Sequence, residues 1–391
     1  MTGRQLKYSA LSSFIQFCID EKESNLLLLS LVNNRYAVGS ASHQDLRRIE
    51  LSVFSRIIDP EDSTLMKVWL ISNDPTKTTE HYIQSYAEFL IAMFSVRRLF
   101  LKKPELVVAI SIYTSNTLMP WFSAKIAARS ARILKAFFPS ASFKLETTAM
   151  YPTFKQFYPL IAELAPVLTN VRCSPNVLHL LRNAHLNTLN IVDDWNFIRR
   201  TAWYYPELFH VKAREFVCGH VFPLDYFTNG SFPIQPTTQV FVCDVNLRMK
   251  KSPGLYEDIF GEISQCLPNL RLLKCNQLDF VVEVGDNDDH VAIRRGNVSK
   301  PYTEAIELAS WHIREIARLS HLETEIEVLF EFYHQAYVDA CADMFSRLLP
   351  GSSVCESSYN SEMESTQKHV TYQKNNTLAK LTLSPGFSPI P

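Results

Sequence analysis

Two short stretches carry residue types that could perform catalysis or bind a metal. In "CGH", the Cys218 thiol is followed by Gly219 and His220, so a nucleophile and a base are close in sequence. Adjacent side chains on a strand point to opposite faces, however, and a nucleophile and its base normally come from separate elements. We therefore predict no catalytic residue here, and we identify none elsewhere in the chain.

The second stretch is "DNDDH", in which Asp286, Asp288, Asp289 and His290 supply hard oxygen ligands and an imidazole. It lacks the loop glycine and the distal glutamate of a calcium-binding loop, which favours a solvated loop and no metal site. A third cluster, residues 193–195 ("DDW"), is either part of a binding face or simply a turn.

The overall composition narrows the function classes. Only 10 of the 391 residues are glycine, and the sequence contains neither a P-loop nor a GxGxxG pattern, so we predict no nucleotide cofactor. The formal net charge of -1 argues against a dedicated nucleic-acid-binding protein, which usually has a basic excess. The eight cysteines are scattered without a CxxC pair, which is typical of a reducing compartment.

The sequence also gives no indication of a transmembrane segment or a secretory signal. No apolar run approaches the roughly 20 residues that span a bilayer, and the N-terminal "ALSSFIQFCI" is a poor signal peptide. We therefore predict an intracellular protein, cytoplasmic or nuclear, with no membrane and no nucleic acid among its partners.

A recurring apolar pattern indicates how the chain folds. In "CLPNLRLLKC", the apolar positions are Leu270, Leu273 and Cys275. An amphipathic helix would continue to i+7 and a half-buried strand would alternate strictly, whereas this spacing is typical of one leucine-rich-repeat unit. The template also fits "LMKVWL", "VRRLFL", "VVAISI", "LTNVRC" and "LNTLNI", and more weakly "SASFKL", "AREFVC" and "TQVFVC".

Most steps between neighbouring units are 25 to 33 residues, which suits a strand, a turn and a helix. Two steps are shorter, so either one member is spurious or some units are abbreviated. The stretches between units have helical stripes, as in "SAKIAARSARILKAFF", "GLYEDIFGEISQCL" and "YTEAIELASWHIREIARL". The predicted fold class is α/β, a leucine-rich-repeat-like solenoid of strand-helix units; a doubly wound α/β enzyme shares the alternation and is the rival interpretation.

The sequence divides into three predicted regions. Residues 1–48 are expected to form a small helical module, and residues 49–349 an irregular leucine-rich-repeat-like array closed by a C-terminal capping unit. Residues 350–391 are rich in Ser, Asn and Lys and poor in aromatic residues, which predicts a disordered tail.

The N-terminal region resembles an F-box. In "NLLLLSLVNNRY", a leucine-rich helix runs into a Leu-Val-x-x-Arg-aromatic ending formed by Leu31, Val32, Arg35 and Tyr36, although "LKYSALSSF" lacks the usual opening proline. "CLPNLRLLKC" resembles the cysteine-containing leucine-rich repeats that follow many F-boxes. The resemblance implies adaptor-binding residues on the two N-terminal helices: Leu11, Phe14, Ile15, Leu28, Leu31, Val32 and Tyr36.

Taken together, these features favour a substrate-recruiting subunit without an enzymatic activity of its own. By resemblance, the N-terminal helices would dock a Skp-type adaptor of a cullin-RING ubiquitin ligase, and the repeats would hold a target protein that the sequence does not identify. Two alternatives stay open: a leucine-rich-repeat scaffold unrelated to ubiquitin, in which the N-terminal helices only cap the array, and an α/β enzyme.

Overall fold

The structure is a computed structural model in which defined parts of the chain are described. These are residues 46–55, 64–72, 79–83, 85–100, 106–113, 121–147, 152–182, 184–192, 211–224, 227, 232, 234–244, 251–252, 254–282, 290–293, 299–332, 335–360 and 365–385. Contacts divide the chain into two compact units, Met1–Ala213 and Arg214–Pro391. The predicted helical module, residues 1–48, lies outside the described residues except for its last three, which begin a strand.

The first unit contains a mostly parallel sheet. Its described strands are β1 (Leu46–Ser55), β2 (Thr64–Ser72), β3 (Thr79–Ile83), β4 (Val107–Tyr113), β5 (Ser142–Thr147), β6 (Leu168–Cys173) and β7 (His185–Ile191). They lie in the order β3-β2-β1-β4-β5-β6-β7. Strand β2 is antiparallel to both of its neighbours, β3 and β1. The remaining pairs, β1-β4, β4-β5, β5-β6 and β6-β7, are parallel.

Helices cover one face of this sheet. They are α1 (Tyr86–Phe100), α2 (Ala124–Phe137) and α3 (Tyr158–Leu164), with 3₁₀ segments at Pro152–Phe157, Ala165–Val167 and Pro175–Leu181. Helix α2 begins at Ser123, whose hydroxyl accepts a hydrogen bond from the Ile126 amide and so satisfies one free donor of the first turn. Its buried stripe is Ala127, Ser130, Ala131 and Leu134. Ser130 and Leu134 line a small cavity together with Leu51 of β1 and Ile110 of β4, which places the helix on the sheet.

The second unit repeats the plan with a hairpin at one end. Its described strands are β8 (Lys212–Pro223), β9 (Val240–Asp244), β10 (Leu272–Val282), β11 (His290–Ile293), β12 (Ser299–Pro301), β13 (Glu323–Phe332), β14 (Ser353–Asn360), β15 (Ser365–Lys374) and β16 (Thr377–Pro385). All of β8 except its first two residues belongs to this unit, which begins at Arg214. The order is β8-β9-β10-β13-β16-β15-β14, parallel from β8 to β16 and antiparallel at β15 and β14. Strands β11 and β12 form a ribbon on β10.

Three described helices accompany the sheet of the second unit: α4 (Leu255–Cys266), α5 (Tyr302–Leu319) and α6 (Gln335–Leu348). The predicted stripe of α4 is confirmed, since Tyr256, Ile259 and Ile263 are buried. Phe330 of β13 packs against Phe345 of α6, with ring centroids 5.4 Å apart. The covered face of this sheet is therefore the one that bears the apolar strand residues.

The structure confirms the α/β class and most of the predicted strands, with two corrections among the repeat units. "VRRLFL" is not a strand, because Val96 and Leu99 lie in α1, so the short step noted in the sequence came from a spurious unit. "LMKVWL" is a strand, but it is β2 of an antiparallel meander and not a parallel repeat. None of the described helices is both long enough and apolar enough to cross a bilayer.

The prediction of a disordered tail at 350–391 was wrong. Residues 353–360, 365–374 and 377–385 form β14, β15 and β16, and Leu381 and Leu383 of β16 are fully buried beside β13. The polar composition masked a period-two alternation in "TLAKLTL", which is the signal of a half-buried strand. Asn375, at φ 52°, forms the hairpin turn into β16, a left-handed position that asparagine tolerates.

Candidate functional site

The structure gives no position for most of the residues singled out in the sequence. The seven predicted adaptor-binding residues lie outside the described residues: Leu11, Phe14, Ile15, Leu28, Leu31, Val32 and Tyr36. The same holds for residues 193–195 and for Asp286, Asp288 and Asp289, while His290 is the first residue of β11. Within the described ranges, no group of three or more His, Cys, Asp or Glu side chains could hold a metal ion.

The cysteine of "CGH" is part of the core. Cys218 lies in β8 with 1% of its surface exposed, and burial raises the pKa of its thiol far above the usual range. Because the thiolate is the nucleophilic form, this sulfur is inert at neutral pH. Burial likewise raises the pKa of Cys173 and of Cys341 to about 12.

In each unit, the described helices cover one face of the sheet, and we call the opposite face the open face of that unit. Along β5, Phe143, Leu145 and Thr147 are buried, whereas Lys144 is exposed and Glu146 half-buried. Since side chains alternate between the two faces of a strand, the polar positions form one continuous surface. The open face of the first unit comprises Arg48, Glu50, Ser52, Lys67, Trp69, Tyr82, Ser111, Lys144, Glu146, Asn170, Arg172, Thr188 and Asn190.

A carboxylate organises the open face at β1 and β4. Glu50 accepts hydrogen bonds from the hydroxyls of Ser52, at 3.2 Å, and Ser111, at 3.0 Å. Its second oxygen lies 2.8 Å from the Arg48 guanidinium. Ser111 is only 3% exposed, so its hydroxyl needs this acceptor. The network ties two parallel strands together on the uncovered side.

Further along the same face, Glu146 of β5 and Arg172 of β6 are direct neighbours in the register and form an ion pair at 3.0 Å. The side chains of both remain partly exposed, at 35% and 50%. Such an exposed pair contributes little to stability, about 0–1 kcal/mol, but it orients two charged groups toward solvent.

Aromatic rings flank a lysine at the β2–β3 end of this face. The Lys67 ammonium lies 4.4 Å from the ring centre of Tyr82, its partner across the strands, and 5.2 Å from that of Trp69. Tyr82 is 47% exposed. A cation over aromatic rings is attracted by the ring quadrupole, which favours this arrangement of the three side chains.

The open face of the second unit carries mainly acidic and aliphatic side chains. It comprises Glu215, Val217, Val240, Val242, Leu272, Lys274, Asn276, Glu323, Glu325, Glu327, Leu378, Lys380, Thr382, His369, Thr371 and Gln373, of which Val242 is buried among its neighbours. Lys274 of β10 lies 2.8 Å from its register partner Glu325. The hydrogen bond to Glu325, with the nearby charges of Glu325, Glu327 and Glu215, raises the pKa of the Lys274 ammonium.

An imidazole is held between two hydroxyls at the hairpin end of this face. His369 of β15 has its Nε2 atom 3.0 Å from the Ser357 hydroxyl and its Nδ1 atom 3.3 Å from the Thr382 hydroxyl. A neutral imidazole has one donor and one acceptor, and a hydroxyl serves as either. Both ring nitrogens are therefore engaged, and the arrangement fixes the ring in place.

The sequence analysis did not single out these open-face residues, although their positions were readable. In most templates one residue lies between the last two apolar positions, as Arg172 does in "LTNVRC" and Asn190 in "LNTLNI", and these two are register partners. The row continues through Glu146 to Ser111, although Glu146 directly follows the template "SASFKL" and is not part of it. In the second unit, the row is Val217, Val242, Lys274 and Glu325. The sequence signal for an open-face position was the residue between the last two apolar positions of a template, which varies from strand to strand while the apolar spacing recurs.

These two faces offer non-covalent contacts of every kind: ion pairs, hydrogen bonds, aromatic rings and aliphatic side chains. No protein-family model matches the chain, and no curated protein or solved structure matches it either.

Proposed function

We propose that this protein binds a target protein through the open faces of its two units and acts as the recruiting subunit of a ubiquitin ligase. The observation that supports binding is the one-sided burial of most of the parallel strands; β4 is an exception, since Ala109 and Ser111 on its open face are also buried. Parallel sheets are normally covered on both faces, so a polar sheet face that none of the described helices covers offers a surface for another molecule.

The proposal includes a leucine-rich-repeat-like architecture for each unit. The parallel strands follow one another in chain order, β4 to β7 in the first unit and β8 to β10 and β13 in the second. A doubly wound enzyme reverses its strand order at a switch point, where its ligand binds. The strand order within each unit supports repeated addition of strand-helix units in preference to that alternative.

The two faces would recognise a target through different chemistry. Trp69, Tyr82 and Arg48 in the first unit belong to the residue types that dominate binding energy at protein interfaces. In the second unit, carboxylates beside Val217, Val240 and Leu272 would attract a basic surface and then bury apolar area. No covalent step on this chain is part of the proposal.

The link to ubiquitin depends on the resemblance of residues 25–36 to an F-box. By that resemblance, Leu31 and Val32 would contact a Skp-type adaptor, which connects to a cullin-RING ligase. If the adaptor does not bind, the scaffold without a ubiquitin connection becomes the better proposal.

Charge reversal on the second open face tests target binding. We expect Glu325→Arg with Glu327→Arg in the full chain to remove the bound proteins that are recovered from the protein's own cells, as measured by quantitative mass spectrometry. The matched control reverses two exposed charges on helices, Glu307→Arg with Asp343→Arg. If the two double variants recover the same proteins in the same amounts, the open face does not bind the target.

A reconstituted binding assay tests the adaptor. We expect the purified Skp-type adaptor to bind the full chain and to lose that binding in Leu31→Asp with Val32→Asp. Gln373→Asp, on an exposed strand position, is the control. Circular dichroism checks that all variants are folded. Adaptor binding that is absent in the unaltered protein, or unchanged in the double variant, contradicts the ubiquitin part of the proposal.

A further inference from the structure

The outermost strand of the second sheet has an uncovered edge. Among the described residues, β14 ends the strand order and pairs on one side only, with β15. All five residues from Ser353 to Ser357 are exposed, including Val354 at 42%. An edge strand presents backbone N–H and C=O groups in the spacing that another strand requires.

From Ser353 to Ser358 this edge has few of the features by which proteins usually prevent strand addition. Those features are short length, charged side chains (lysine above all), proline, β-bulges or a covering helix or loop. The register of β14 becomes irregular only after Ser358, and among the described strands β14 pairs with β15 alone. The edge strand of the first unit, β3, has five residues and includes Glu80 and His81. By contrast, β14 has eight residues, "SVCESSYN", without lysine, arginine or proline. Its one charged residue, Glu356, is already bound by Lys368 at 3.2 Å.

We propose that β14 pairs with β14 of a second copy of this chain, antiparallel, about a two-fold axis that passes through Cys355. This inference is independent of the proposed function, since it involves neither open face as a target site. A two-fold axis perpendicular to a sheet places one residue opposite itself and pairs the others symmetrically around it. The residue on the axis therefore defines the whole register.

The geometry of β14 selects Cys355 for that position. The pairing of β14 with β15 is regular from Ser353 to Ser358 and then shifts, so a straight five-residue ladder can be centred only on Cys355 or Glu356. With Glu356 on the axis, two carboxylates would stand directly opposite each other, which is destabilising.

With Cys355 on the axis, the facing side chains are compatible. Ser353 faces Ser357 of the second copy, and hydroxyls in such a pair can form hydrogen bonds. Val354 faces Glu356 of the second copy, so no like charges meet. The exposed apolar surface of Val354 is covered by the methylene groups of that glutamate.

The expected affinity is low. A ladder of five residues buries less area than the 1,200–2,000 Å² of stable interfaces, so the copies should associate only at high protein concentration. A dimer would nevertheless present two sets of open faces at once, and two linked binding sites hold a multivalent target more tightly than one.

Sedimentation equilibrium over about 1 μM to about 1 mM tests the association. We expect the mass to rise from that of the 44.9 kDa chain toward that of a dimer. Cys355→Lys, which places two ammonium groups on the axis, should remain a monomer throughout. Gln373→Lys adds the same charge on an exposed position of β15 and should dimerise like the unaltered protein.

Oxidation by diamide tests the register. Cys355 should form an intermolecular disulfide, located by peptide mass spectrometry, and Cys355→Ser should dimerise without it. In the Cys355→Ser background, Ser353→Cys mixed with Ser357→Cys should cross-link, whereas Ser357→Cys alone should not. A protein that stays monomeric over the whole concentration range, or a dimer that Cys355→Lys leaves unchanged, overturns the proposal.

Discussion

The open faces of the two units share a backbone plan but differ in charge arrangement. In the first unit, opposite charges sit together, as Arg48 does with Glu50 and Arg172 with Glu146. In the second unit, Lys274 lies among several carboxylates, and aliphatic side chains occupy positions that are polar in the first.

The difference shows that the fold and the surface chemistry are encoded by separate positions. Leu145, Val171 and Leu189 on the covered face keep the same register and the same apolar character from strand to strand. The residues between them on the open face change freely, because solvent accepts any polar side chain there. Substitutions can test how separate the two sets of positions are.

The largest effect is expected on the covered face. Phe241 is fully buried, with the rings of Phe227, Phe232 and Phe216 within 6.5 Å of its own. Phe241→Ala should lower the free energy of unfolding by about 3–5 kcal/mol, because it leaves a cavity in the core. Urea denaturation followed by fluorescence measures this. Asn190→Ala, on the open face, is the control and should change stability by about 0.5 kcal/mol or less. An equal loss in both variants would remove the distinction between the faces.

One buried hydroxyl in each unit allows a sharper comparison, because only one of the two has a hydrogen-bond partner among the described residues. Tyr256 of α4 shares a hydrogen bond with Nδ1 of His312 of α5, at 2.5 Å, and His312 is 1% exposed. Tyr256→Phe removes this bond from the core of the second unit and should cost about 1–3 kcal/mol.

Ser130 provides the contrast in the first unit. Its hydroxyl is buried without a hydrogen-bond partner among the described residues, beside a cavity of about 10 Å³. Ser130→Ala should therefore be neutral or stabilise the protein by up to about 1 kcal/mol. Both variants are compared by urea denaturation. A loss of stability in Ser130→Ala similar to that of Tyr256→Phe would contradict this interpretation.

The smallest effect concerns the charges themselves. Lys274→Gln should lower stability by about 0.2–1 kcal/mol, because the surrounding carboxylates then repel one another. Arg172→Gln removes the charge from an exposed pair in the first unit and should cost less. The difference should shrink in high salt, since salt screens exposed charges. Urea midpoints at low and high salt measure it, and a salt-independent cost for Lys274→Gln would contradict the electrostatic cause.

The pH dependence of the Lys274 contribution has a definite sign. The pKa of this ammonium is raised in the folded protein, so folding favours its charged form. Its stabilising contribution is complete below the ordinary lysine pKa of 10.5 and is lost as the pH rises through the raised value. The stability difference between the unaltered protein and Lys274→Gln should accordingly decrease in strongly alkaline buffer.

The sequence predicted the strands and helices best where apolar spacing was strong. The stripes of α2, α4 and α5 were readable because residues three and four apart were apolar, and "LTNVRC" and "LNTLNI" were readable as strands. The sequence misled where one pattern serves two structures. "VRRLFL" has the strand spacing but continues the α1 stripe that begins before it.

The alternation in the sequence locates the open-face positions, but it could not identify them as a binding site, because exposure of a polar residue is the ordinary state. Glu50 and Ser111 are 61 residues apart, and only the parallel register of β1 and β4 brings them together. The prediction of a disordered tail failed for a related reason. Strand β16 is stabilised by pairing with β13, which is distant in sequence, and its residues are polar on one face only.

The alternation of covered and open positions also affects how such a protein can evolve. Several open-face residues contact a neighbour on the same face, as Glu50 does with Ser111, but their side chains point away from the covered core. Substitutions at exposed open-face positions can therefore accumulate without compensation in the core. The spacing of the covered residues is more constrained, because each of them packs against several buried neighbours.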